Sequence, residues 1–165
     1  MRIDTLEDLY IEQLKDIYNA SQQSRGVTKD MAKAATDQDL ADALNAGVER
    51  IDLGMAALQK LADGHEERIE GAFCKGMEGL VSEARAQALN ATIGKSATKD
   101  AMIITQYQRL VHHAIAGYGC LAAFADQLEL GQDLIALNDC LATSYDGDRT
   151  MVRLATGGIN KDAHT

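Results

Sequence analysis

The chain has 165 residues, no proline and a formal charge of −9, from 16 Lys and Arg against 25 Asp and Glu. That length suits one domain, and an average proline usage of about 5% would have given roughly eight, so nothing here interrupts long helices. An acidic chain without a basic run excludes nucleic-acid binding, which needs cations opposite phosphates, and docking on anionic membranes.

The first predicted helix starts at Thr5-Leu6-Glu7-Asp8, where Thr5 caps and acids occupy the first turn. Its stripe is Leu6, Leu9, Tyr10, Leu14, Ile17 and Tyr18, reaching about Ser24. Gly26 weakens it, and a continuation spans Thr28 to Ala35. The second helix opens on Thr36-Asp37-Gln38-Asp39, which resembles a capping box with Asp in place of Glu, and runs over 37–63 with Leu40, Leu44, Val48, Ile51, Met55, Leu58 and Leu61, stopping near Gly64. Residues 65–97 form a long connection with a short helix over Met77 to Leu89, then a loop through Thr92 to Ala97.

The third long helix covers 98–130, with Ile104, Tyr107, Val111, Ala114, Tyr118, Leu121 and Ala125 on one face, and ends at Gly131. The fourth covers 132–155 and presents Leu134, Leu137, Leu141, Ser144, Asp148 and Met151; Gly157-Gly158 stops it. A short turn joins helices one and two, another joins three and four, and a long link joins two and three. This pattern predicts an all-α, ferritin-like four-helix bundle with one long crossover carrying a short extra helix. The domain spans 1–158, and 159–165 form a frayed tail.

No apolar run reaches the roughly 18–20 residues of a membrane span, and the N-terminus has no signal-peptide core, so a cytoplasmic protein is expected. Cys74, Cys120 and Cys140 read as reduced thiols, with Cys120 and Cys140 filling apolar positions. There is no Gly-rich phosphate loop, Cys-x-x-Cys or His-Glu-x-x-His, so no enzyme is expected. Ile11, Leu53, Ile103, Leu110 and Ile115 lie off the core stripes and suggest a second buried face. Tyr10, Tyr18, Tyr107 and Tyr118 lie at core spacing, where their phenols need partners such as Ser21, Ser144 or Asp148.

Particular strings resemble a known family. They are Leu6-Glu-Asp-Leu-Tyr, Leu14-Lys-Asp-Ile-Tyr18, Lys29-Asp-Met-Ala-Lys-Ala-Ala-Thr36, Cys74-Lys-Gly-Met-Glu-Gly-Leu80, and Gln108-Arg109 followed by Ile115-Ala-Gly-Tyr-Gly119. The chain resembles the bacterial YciE/YciF family of ferritin-like, stress-associated proteins. The resemblance implies a homodimer and a role in stress responses.

It also implies where iron ligands would stand. In the family, Tyr-x-Ala precedes a glutamate; here Tyr18-Asn-Ala leads to Ser21. An acidic pair on helix two is here Glu49-Arg50. Glu-His-Tyr-Glu before Ile-Ala-Gly-Tyr is here Val111-His112-His113-Ala114, and a run of glutamates on helix four is Ala142-Thr143-Ser144. The resemblance therefore implies a degenerate di-iron site, no cofactor, and a non-enzymatic structural or binding role. Two alternatives stand beside it: a relocated iron or zinc site built from Glu49, His112 and Asp148, and a small-ligand pocket in the vacated centre. His112 and His113 point about 100° apart on one helix, which argues against a shared ion.

Overall fold

A computed structural model describes residues 3–164. Four long helices dominate it: α1 (Leu6–Ala34), α2 (Gln38–Gly64), α4 (Ser96–Gln127) and α5 (Gly131–Leu154). Between α2 and α4 the crossover carries α3 (Lys75–Ala84), which runs into a wider π turn over Arg85–Asn90. A second π turn, Ala155–Ile159, leads into a terminal α6 (Asn160–His164). The described residues contain no strand.

Thr5 caps α1 reciprocally: its hydroxyl accepts from Asp8 N at 3.1 Å, and the Asp8 carboxylate accepts from Thr5 N at 3.0 Å. The capping box expected on Thr36 and Asp39 does not form: Asp37 caps α2 by accepting from Leu40 N at 2.9 Å, because the Thr36 hydroxyl is taken by Asp100. The weakening expected at Gly26 does not interrupt the helix, which is continuous to Ala34. Gly26 is exposed, while Val27, Thr28, Met31 and Ala32 just beyond it are buried. Their packing outweighs the roughly 1 kcal/mol that a helical glycine costs. α2 ends at Gly64 as expected, whereas α4 ends at Gln127, short of the expected 130. The left-handed residue after each helix is a glutamate, Glu66 at φ 58° and Glu129 at φ 59°. Glu67 N and Leu130 N then donate back to Ala62 O and Ala125 O, both at 2.9 Å.

α1 packs on α2 and α4, and α5 packs on α4 and α2, so α2 and α4 face each other across a diagonal. They run in the same direction. Near their starts, the buried Asp100 of α4 accepts from Thr36 N at 2.8 Å, from the Thr36 hydroxyl at 2.5 Å and from Asp37 N at 2.9 Å. At the other end of the bundle, Asp133 accepts from the Tyr10 phenol at 2.7 Å and meets His65 Nε2 at 2.7 Å. These two carboxylates tie together the ends of helices that are remote in sequence.

The frayed tail expected for 159–165 is not what residues 159–164 form. Ile159 is buried and α6 packs on α4, so the chain turns back at Gly157-Gly158 and stays docked. Thr165 lies outside the described residues. Of the residues expected to form a second apolar face, Ile103 and Leu110 belong to the core, Ile11 and Ile115 pack against it, and Leu53 alone is largely exposed.

Candidate functional site

The apolar core falls into two clusters. One gathers Val27, Met31, Leu40, Leu44, Ile103, Ile104 and Met151; the other gathers Tyr10, Leu14, Ile17, Leu58, Leu121 and Leu137. Between them, at mid-height of the bundle, lies a cavity of about 60 Å³. A water needs about 10–15 Å³ on this measure, so there is room for several waters or one small molecule.

Each long helix contributes polar or small residues to the wall. α1 supplies Ser21, Ser24 and Thr28; α2 supplies Gly47, Arg50 and Gly54; α5 supplies Cys140, Thr143, Ser144 and Gly147. α4 supplies Tyr107 and Tyr118 with the apolar Leu110, Val111 and Ala114. Every substituted position noted in the sequence (Ser21, Arg50, Val111, Ala114, Thr143 and Ser144) is therefore brought to one space.

Close approach shapes this region. A Cβ at Gly47 would collide with the Tyr107 hydroxyl, and one at Gly54 would stand 2.5 Å from the Tyr118 hydroxyl. The two glycines let the phenols of α4 reach across the diagonal to α2. On the remaining side, Gly147 leaves space for the Arg50 guanidinium, whose Nη2 would lie 3.4 Å from a Cβ there.

Most hydroxyl protons in the wall are directed to backbone carbonyls. Ser21 donates to Ile17 O at 2.8 Å, Thr28 to Ser24 O at 2.8 Å, and Ser144 to Cys140 O at 2.9 Å. Arg50 differs. Its Nη2 is closed to solvent and has no hydrogen-bond partner, and among the described lining residues it is the one charged side chain. Burial raises the Tyr107 phenol above its ordinary pKa, while the Arg50 cation beside it, by its charge and by a hydrogen bond to the phenol oxygen, pulls the other way. Burial likewise raises Tyr118, and Ser21 beside it opposes the shift. Both phenols keep their protons at neutral pH.

The alternative metal trio does not assemble. His112 Nε2 lies 3.1 Å from Asp148 Oδ1, which also accepts from Gln108 at 3.0 Å, but His112 is exposed and Glu49 is an exposed residue of α2. Among the described residues no three His, Cys, Asp or Glu side chains form a group that could hold a metal ion. His113 takes a separate path: its Nε2 stands 3.7 Å from the Cys74 sulfur, and its Nδ1 is buried without a partner. Tyr10, expected to reach Ser21, Ser144 or Asp148, reaches Asp133 instead. Nothing in the local sequence signals that partnership, which joins positions 123 apart.

Comparison with known proteins follows the same outline. A family profile described as "Domain of unknown function (DUF892)" matches residues 5–164. The chain belongs to this family. Within DUF892, it is 29% identical over 164 residues to protein YciF of Escherichia coli K12, covering 99% of this chain and 98% of that one. The crystal structure of the E. coli stress protein YciF superposes with a TM-score of 0.89 at 28% identity, covering 96% of this chain and 99% of that one. YcfI of Rhodopseudomonas palustris, provisionally assigned as a structural protein, superposes at 0.85 with 29% identity, over 90% and 94% of the two chains. A Xanthomonas campestris protein at 13% identity, with a TM-score of 0.74, shares the fold over 98% of this chain and 100% of its own. The YciF-type all-α bundle is thus established for the DUF892 chain. No helix among the described residues is long and apolar enough to cross a membrane.

Proposed function

We propose that this chain is a non-enzymatic YciF-type protein with a degenerate di-iron centre, serving a structural or binding role in the cytoplasm under stress. The observation that carries this reading is Arg50, a cation on the wall of the cavity where the resemblance puts iron ligands. Two iron ions bring at least four positive charges into a poorly hydrated core, and several anionic oxygens must replace their lost hydration. Ser21, Val111, Ala114, Thr143 and Ser144 supply none, and Arg50 adds repulsion. The residues present therefore do not fit the metal pair. The stress association is supported by the E. coli relative, which is named a stress protein, and the structural role by the R. palustris one.

Ferrous iron added in air to the purified apoprotein tests the reading. The expected result is oxidation no faster than in buffer and no stoichiometric iron after desalting. Protein-dependent oxidation with two retained irons per chain would overturn it.

A further inference from the structure

We propose that the central cavity is a binding site for a small monocarboxylate, its head on Arg50 and Tyr107 and its short alkyl tail against Leu110, Val111 and Ala114. The inference rests on the metal-free reading of the bundle centre and goes beyond it by naming the occupant's chemistry.

Arg50 sets the charge. A guanidinium stays protonated at every accessible pH, so it cannot escape the cost of burial by neutralising itself. Here Nη2 is shut off from solvent with no acceptor, and no carboxylate lines the cavity to balance the charge. Water would satisfy a donor but leave a net positive charge in a low-dielectric space. An anion does both, and a planar carboxylate matches the guanidinium fork.

The hydroxyls of Ser21, Thr28 and Ser144 direct their protons to backbone carbonyls and Tyr118 is engaged with Ser21, which leaves the Tyr107 phenol as an additional donor. Tyr107 lies beside Arg50 and keeps its proton at neutral pH. The opposite wall is apolar and cannot solvate a second charge, which favours a monoanion with a hydrocarbon end over a phosphate or dicarboxylate. The volume of about 60 Å³ limits the ligand to a few heavy atoms. The way in lies on the α2–α5 side, where Arg50 is half-buried and Thr143 is exposed.

Isothermal titration calorimetry with sodium propionate on the metal-free chain is the test, with propionamide, sodium chloride and sodium phosphate as comparison titrants. Propionate is expected to bind one per chain and the other three at least about tenfold more weakly. Arg50→Gln should weaken propionate by about tenfold or more. Ala114→Leu, which fills the apolar wall and leaves the cation in place, should abolish binding independently. Each variant is first shown to melt cooperatively by circular dichroism. Equal binding of propionamide, tighter binding of phosphate, no binding of propionate, or unchanged affinity in the folded variants would overturn the proposal. Iron content measured on the same preparations separates the failures: retained iron overturns the metal-free reading, whereas iron-free protein that ignores propionate overturns this inference alone.

Discussion

The three thiols occupy different electrostatic surroundings, and these decide their chemistry. Burial, with Asp139 nearby adding to it, pushes the Cys140 thiol up to about 11. Burial also raises Cys74, whose backbone is clamped by Asn19 and Gln23 of α1. Cys120 is exposed on α4. Only a thiolate attacks a disulfide reagent, so a raised pKa withholds the reactive form below that value. At pH 8, an aromatic disulfide reagent should therefore modify Cys120 well before the other two. The Cys140 rate should climb about tenfold per pH unit and level off only near pH 11. Mass mapping of the modified peptides over time checks this order, and early loss of Cys140 at pH 8 would show that its surroundings are more open than described.

At the scale of helices, glycine placement governs how α2 and α4 meet. Gly54→Ala gains up to about 1 kcal/mol in helix propensity. It also drives a methyl onto the Tyr118 hydroxyl, 2.5 Å away, and overpacking of that kind costs about 1–3 kcal/mol. The net expectation is a lower melting temperature. Removing the hydroxyl with Tyr118→Phe leaves the ring carbon at an ordinary 3.6 Å, so Gly54→Ala should be neutral or stabilising in that background. A thermal double-mutant cycle reads the coupling, and additive effects would contradict the close approach.

The same elements show what the sequence alone reveals. The start of α1 was legible because Thr5 caps through contacts three residues away, whereas at α2 the Thr36–Asp39 capping box does not form: Asp37 caps, and the Thr36 hydroxyl is drawn to Asp100. The long stripes and the crossover length were enough to specify the bundle. The exits were less legible: Gly64 and Gly131 drew attention, yet Glu66 and Glu129 take the left-handed position, which backbone hydrogen bonding imposes regardless of residue type. Asp100 and Asp133 escaped notice because their partners lie 63 to 123 positions away and carry no local spacing. Around the cavity, the resemblance pointed to Ser21, Arg50, Val111, Ala114 and Ser144. The glycines that admit Tyr107, Tyr118 and Arg50 became meaningful only once the helices were placed side by side.

For the whole molecule, the consequence is a bundle with two apolar cores separated by a polar waist. Packing above and below the waist supplies the stability, and the waist itself holds a cation whose Nη2 has no partner. A half-buried cation with an unsatisfied nitrogen carries a desolvation cost that an apolar side chain of similar volume does not. Met is the suitable replacement: it is unbranched, flexible enough to follow the path of the Arg50 side chain, and can fill part of the cavity between the two clusters. Arg50→Met should therefore raise stability. At about 2–4 °C per kcal/mol for a chain of this size, the melting temperature should rise by several degrees in buffer free of carboxylates. Gly147, whose open space accommodates the guanidinium, should leave a thioether equally unhindered. Adding propionate should narrow the difference, since it stabilises the wild-type chain by mass action and has no cation to bind in the variant. Calorimetric melts of both chains with and without propionate measure all four corners. A variant that melts at or below the wild type in plain buffer would mean that Arg50 already has a satisfied role in the folded bundle, and the cavity would then be a structural feature and not a site held ready for an anion.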